Sequence, residues 1–340
     1  ENLAAKNNQA KKKVRTNSLS VTQPIFSGGD TYARIKISDN LIDGGNARFK
    51  AVSNEISQST VSAYENILTT HEIYELSKKN EQVLATHLKY SKTDVLQSEA
   101  RYAAAIAEME RARGEADSAK AVFERLVGTF PEEKLEPIDL SGINLPQNVD
   151  EFLETAMKEN PNLLASKYNS KASDYNVNVA VAQILPKVDA NATFSRTDLP
   201  KNLSSNPDSD QYTVRVSVPL FQSGAEYATI FESQYQAKKA KYDYKETQRQ
   251  IKEAVIRTWN NYKVAKAVIK SRAEAMEAAQ KALEGVQEEY KIGTRTTLDV
   301  LDAEQEYFSA QVGHRTAQRD LVVASYAILQ LIGAIGTVEL

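Results

Sequence analysis

Cysteine is absent from all 340 residues, which excludes a disulfide framework, a thiolate metal site and a thiol nucleophile. Long apolar runs are also missing. The least polar stretch, residues 321–336, is interrupted by Ser325, Tyr326 and Gln330 and falls short of the roughly 20 apolar residues a spanning helix needs, so it reads as a buried helix. Neither sign of charge dominates: 42 Lys and Arg stand against 45 Asp and Glu, spread along the chain, and nucleic acid has no basic footprint to bind. The three histidines, His71, His87 and His314, lack metal-ligand spacing such as HExxH and read as helix-surface residues. The glycine pairs in "SGG" (27–29) and "DGG" (43–45) do not form a phosphate loop. Gly28 and Gly29 suit a strand-to-helix bend, while Gly44 and Gly45 have no evident role. No catalytic nucleophile or cofactor motif is present, so neither enzyme activity nor a cofactor is expected. The chain begins without Met or a signal-peptide pattern, as a processed or cut chain would.

Proline is scarce where it would matter most. Five of the nine prolines lie in residues 129–188, and none lies between Gly224 and Tyr290. The latter stretch is rich in Ala, Glu, Lys and Gln and predicts one helix about 100 Å long at ~1.5 Å per residue. Along it Ile251, Val255, Thr258, Tyr262, Ala265, Ile269, Met276, Ala279, Leu283, Val286 and Tyr290 alternate steps of four and three, the seam of a coiled coil. Arg272 is the one seam position that is neither apolar nor small. The lone Trp259 falls in this region and reads as packing between helices.

Self-comparison divides the chain into two repeats. "LSVTQPIFSGGDTYA" (19–33) matches "VRVSVPLFQSGAEYA" (214–228), with Pro24 aligned to Pro219 and Gly29 to Gly224. "DVLQSEARY" (94–102) matches "DVLDAEQEY" (299–307), and "LVG" ending at Gly128 matches "LIG" ending at Gly333. Residues 1–128 form the first repeat, with a strand near 18–26 and a helical hairpin over 29–127 that breaks between His87 and Lys92. Residues 129–160 form a linker and a short helix. Residues 161–340 form the second repeat: a helix from about Asn162 to Ile184, a β-hairpin over 187–220 and a helical hairpin over 224–334. In the β-hairpin, Val214, Val216 and Val218 alternate with Thr213, Arg215 and Ser217, the period-2 pattern of strands with one apolar face. The strand partnering 18–26 within the first repeat should precede residue 1.

The turn "GTRTTLDVLDAEQEY" (293–307) concentrates the candidate functional residues. Gly293 can end the long helix in a left-handed cap, and Thr296 followed three residues later by Asp299 has capping-box form. Ser91 and Asp94 repeat that relation in the first half. Capping leaves Asp302, Arg295 and Tyr290 unexplained. If several copies met at such tips, Asp299 and Asp302 would form carboxylate rings of the kind that select cations. Acid–base catalysis is disfavoured, because carboxylates three apart on a helix point outward together instead of facing each other across a pocket. The fold class that follows is mainly α with a small β part. Half-apolar strands too few to close within one chain would share a transmembrane barrel among several chains, and long antiparallel coiled-coil hairpins would project from it.

The blocks "YKIGTRTTLDVLDAEQEYFSA", "LPQNVDEFLETAMKENPNLLASKYNSKA", "ILPKVDANATFS" and "VRVSVPLFQSGAEY" occur in an order that resembles the TolC-like outer membrane factors, the exit ducts of tripartite efflux pumps and type I secretion systems. That resemblance implies a homotrimer in the outer membrane of a Gram-negative bacterium, with a periplasmic helical tunnel. Its implied partners are a periplasmic adaptor protein, an inner-membrane transporter and outer-membrane lipid. It also implies a gate latched by Tyr290 and Arg295 of the second hairpin against Asp94 of the first, with Asp299 and Asp302 as the constriction carboxylates. The segment "LKYS" (88–91) is about ten residues shorter than the family pattern at the first tip. A non-conducting periplasmic coiled-coil scaffold is the alternative, although it has no need of half-apolar strands.

Overall fold

The computed structural model describes residues 15–90, 95–129, 135–198, 208–221 and 223–335. In chain order the elements are β1 (Arg15–Ser27), α1 (Asp30–Tyr90), α2 (Val95–Val127), α3 (Val149–Glu159), α4 (Pro161–Ala182), β2 (Lys187–Asp198), β3 (Ser209–Ser217), α5 (Ala225–Lys291) and α6 (Thr297–Ile332). The protein is mainly helical with one small sheet, as its composition and periodicity predict. No described helix is long and apolar enough to cross a membrane. Two compact units divide the chain, one containing residues 1–43 and 167–243, the other residues 44–166 and 244–340.

The first unit holds an antiparallel sheet in the order β1-β2-β3. Its register pairs Leu19 with Phe194, Val21 with Ala192, Ala192 with Tyr212 and Ala190 with Val214. Opposed residues share a face, so the apolar side chains collect on one side. The other side carries Ser20 opposite Thr193 and Asn191 opposite Thr213, with a hydroxyl–hydroxyl bond of 3.2 Å joining Ser20 and Thr193. A bulge between Pro24 and Phe26 accommodates the proline, which has no N–H to give the ladder. Both turns into the long helices use left-handed backbone: Gly28 and Gly29 before α1, Ser223 and Gly224 before α5. A Cβ on Gly28 would also lie 2.8 Å from the Ala182 carbonyl oxygen. Alanines pack this unit, with Ala33, Ala172, Ala180, Ala182, Ala237 and Ala240 all buried, which lets the helices approach closely.

In the second unit α6 runs back along α5. Leu283 and Gln287 share a cleft with Phe308 and Gln311, while Trp259 and Tyr262 share another with Leu321 and Ser325. The α5 seam residues from Ile251 to Val286 are buried or half-buried as their spacing predicts, and Arg272 is exposed. The Arg272 side chain lies over Gly313 of α6, where an added Cβ would meet its Nη1 at 3.3 Å. A glycine on the facing helix therefore makes room for the long side chain. Trp259 packs against Phe152 of α3 and Tyr262 of α5, at the edge of the largest core. There Phe152, Ala156, Val255, Tyr326, Ile328 and Leu329 are almost wholly buried. Smaller clusters join α1 to α2 through Ile67, Ala119 and Phe123, and α1, α2 and α6 through Leu84, Ala105 and Leu301.

Asn160 and Pro161 separate α3 from α4. Asn160 Oδ1 accepts from the Leu163 N–H at 2.9 Å and Nδ2 donates to the Leu331 carbonyl at 2.8 Å, so one buried side chain caps α4 and ties it to the end of α6. A charged group is also buried in this unit. Arg315 of α6 donates to Glu65 of α1 at 3.3 Å, and its Nε stands 2.8 Å from Glu72 as an ion pair without the alignment of a hydrogen bond.

The structure extends one expected boundary, places two unassigned glycines and corrects the reading of two histidines. Helix α1 continues to Tyr90, three residues beyond the expected end near His87 and still short of Lys92, because nothing in "LKY" disfavours helix. Gly44 and Gly45 lie inside α1, tolerated at roughly 1 kcal/mol each relative to Ala. His87 and His314 are half-buried, unlike the exposed His71: each faces a neighbouring helix or its own i+4 side chain.

Candidate functional site

The tip of the second hairpin is built from local hydrogen bonds. Gly293, with φ 83°, carries the chain out of α5 in the left-handed conformation that glycine adopts without steric cost. The Thr294 N–H donates to the Glu289 carbonyl at 3.0 Å, and the Thr294 hydroxyl donates to the same oxygen at 2.8 Å. One of the carbonyls left over at a helix end is thereby engaged twice by the turn. Thr296 then opens α6 with a complete capping box: its hydroxyl accepts from the Asp299 N–H, and Asp299 Oδ2 accepts from the Thr296 N–H at 2.8 Å. The backbone N–H and hydroxyl of Thr296 hold the Asp299 carboxyl below the ordinary 3.8, with Arg295 adding a smaller pull in the same direction.

Tyr290 and Arg295 close this hairpin on itself. The Tyr290 hydroxyl lies 3.3 Å from the Thr297 hydroxyl, and Arg295 Nε donates to Glu289 at 2.6 Å. Glu289 raises the Arg295 pKa above its usual value. Ser91 and Asp94, the expected first-hairpin partners, lie outside the described residues.

Asp302 is brought to a different partner. Arg101 of α2 donates through Nη2 to Asp302 Oδ1 at 2.5 Å, linking the second hairpin to the first. A second link lies two residues further along α6, where Glu304 Oε1 is 3.3 Å from His87 Nε2 of α1. The two ion pairs flank the apolar cluster of Leu84, Ala105 and Leu301, with Tyr102 packed against it. Both helices of the first hairpin are thus held to α6 close to the turn. Arg101, His87 and Glu304 escape sequence reasoning, because their pairing depends on the register between separate hairpins. One signal was available: Arg101 occupies the position that Glu306 holds in the other repeat, an inversion of charge between matched blocks.

No group of three or more His, Cys, Asp or Glu suited to a metal ion occurs among the described residues. The clefts near the tip are open grooves between helices. The arrangement is one of helix caps, weak ion pairs and exposed carboxylates at the end of a hairpin, joined in the same chain to strands with one exposed apolar face. The profile described as "Outer membrane efflux protein" matches residues 152–334. The outer membrane efflux protein BepC of Brucella suis is 30% identical over 332 residues, spanning 94% of this chain and 72% of that protein. The alkaline protease secretion protein AprF of Pseudomonas aeruginosa is 24% identical, spanning 90% of this chain and 67% of that protein. Among solved structures, the outer-membrane channel OprN superposes with a TM-score of 0.77 at 21% identity, covering 95% of this chain and 81% of that one. The Vibrio cholerae outer membrane protein VceC gives 0.76 at 18% identity, covering 94% and 87%.

The chain belongs to the outer membrane efflux protein family. It is an outer-membrane export channel protein, and the family is one of channels, not of enzymes.

Proposed function

We propose that the protein is the homotrimeric exit duct of a tripartite efflux pump or type I secretion system, working passively with a periplasmic adaptor and an inner-membrane transporter, and that its hairpin tips form the gate. Tyr290, Arg295 and Asp94 serve as the latch, and Asp299 and Asp302 line the constriction. The observation that carries this reading is the link between hairpins at the tip, Arg101 to Asp302. A gate that a docking partner can open needs contacts that hold without being strong, and exposed ion pairs of about 0 to 1 kcal/mol meet that need.

Assembly from several copies is supported by what a single chain leaves uncovered. On α1, Ile35, Ile42, Phe49, Val52 and Ile56 recur at coiled-coil spacing, and each is more than half exposed, a face that identical neighbours would cover. On the sheet, Leu19, Val21, Tyr212, Val214 and Val216 are likewise more than half exposed, as lipid-facing barrel positions are.

Single-channel conductance in a planar bilayer tests the proposal. Wild type should pass a small, cation-preferring current, and Tyr290→Phe combined with Arg295→Ser should raise it severalfold. Folded trimers that conduct nothing in either form would favour the scaffold alternative.

A further inference from the structure

The His87 to Glu304 link goes beyond the latch. Glu304 is nine-tenths buried. Its Oε1 meets the His87 ring, and its Oε2 has no hydrogen-bond partner, so this carboxylate depends on one imidazole for its polar contact. The two residues come from different hairpins and sit beside the Leu84, Ala105 and Leu301 cluster, where parting α1 from α6 would separate them. We propose that His87 and Glu304 form a proton-controlled clasp between the hairpins, which tightens the closed tip when the ring is protonated and loosens it when the proton leaves. This rests on the reading of the tip as a gate.

Few other charges reach the pair. From α1, Lys79 lines the same cleft as Glu304; α5 presents Leu283 and Gln287 there, both uncharged; and α6 adds Tyr307. From α2, Arg101 is engaged by Asp302 and Tyr102 by Glu81. The hydrogen bond to Glu304 raises the His87 pKa above 6.5, burial opposes the shift, and the Glu304 charge adds to it. A group whose pKa is higher in the clasped state contributes stability that is complete below the unclasped value of about 6.5. That contribution fades as pH rises through the clasped value. Acid therefore favours the closed tip and mild alkali the open one. A neutral ring keeps at most the hydrogen bond, without the charge.

The absence of native cysteine allows a direct measurement on the full-length protein reconstituted in lipid. Spin labels on Thr86→Cys in α1 and Glu306→Cys in α6 would report the separation of the hairpins at about pH 5.5 and about pH 8. The widely separated population should grow roughly two- to fivefold at the higher pH, the range an ion pair of this kind supplies. His87→Gln and Glu304→Gln, which keep hydrogen-bonding capacity, should each abolish the pH response. A parent protein whose label separation ignores pH, or a His87→Gln variant that still responds, overturns the clasp. Conductance of the Tyr290→Phe/Arg295→Ser variant distinguishes the two levels of argument. A raised current alongside unresponsive labels removes the clasp and leaves the gate, whereas currents indifferent to those substitutions and to pH remove the gate and the clasp's role together.

Discussion

Removing Arg101 and removing Asp302 should have the same effect on opening and opposite effects on ion preference. The pair is 2.5 Å apart, with the arginine side chain 28% exposed and the carboxylate 60% exposed. Solvent at that level holds its worth to about 0.5 kcal/mol, within the measured range for such pairs. In a trimer that must break three copies to open, the sum is about 1.5 kcal/mol, or roughly tenfold in the ratio of closed to open tips. Arg101→Ala and Asp302→Ala should therefore each raise open probability about tenfold in single-channel recordings. The double variant should open little more than either single one, since both break the same contact. Selectivity separates the two. Arg101→Ala frees the Asp302 carboxylate from its counter-charge and should increase cation preference in a salt gradient, whereas Asp302→Ala should reduce it. Unchanged open probability in both single variants, or a loss of cation preference in Arg101→Ala, would refute the reasoning.

Arg315→Met should lower stability by about 3–5 kcal/mol, because Glu65, 1% exposed, would be left as an unpaired buried charge; the Glu65→Met/Arg315→Met double variant should recover most of the loss in thermal denaturation. Gly28→Ala should be more damaging than Gly29→Ala. Both residues have positive φ, costing roughly 1–2 kcal/mol with a side chain, but only at Gly28 would the new Cβ strike the Ala182 carbonyl, so refolding yields should rank the two variants. Thr296→Ala should weaken the start of α6 by about 1 kcal/mol, seen as faster amide exchange over the first turn. In wild type the depressed Asp299 pKa has its own signature. The cap's stabilisation is present above the ordinary carboxylate value of 3.8 and is lost as pH falls through the lower folded value, so amide exchange corrected for its intrinsic pH dependence should stay flat above about pH 4.

Local signals made most of the helical architecture legible. The proline-free stretch after Gly224 gives α5, and the seam from Ile251 to Val286 identifies its packed face, because a coiled coil repeats its contacts at fixed spacing. The caps at Gly293 and Thr296 were equally readable, since capping partners lie within a few residues of each other. Asp302 was only half legible. Its lack of a capping role singled it out as a candidate, but its partner Arg101 depends on how two hairpins are registered, which no spacing within either hairpin encodes. The same reason hid His87 and Glu304. Arg272 stood out as a break in the seam, and its explanation, Gly313, lay on another helix. Gly44 and Gly45 suggested no role, and the helix around them runs on regardless, since its packing outweighs their low propensity.

Arg272 over Gly313 also works as a register peg. Gly313 is the only glycine in α6, so the guanidinium stem has one notch to occupy, and sliding the two helices past each other by a turn would drive it against side chains with a Cβ. Motion at the tip of the kind the proposed gate requires would then be absorbed between the peg and the turn, over roughly 30 Å of α5 at ~1.5 Å per residue. A hairpin fixed in this way behaves as a cantilever. Its outer segment can swing while the part below the peg keeps its alignment, and the length of the moving arm is set by a single residue without a side chain.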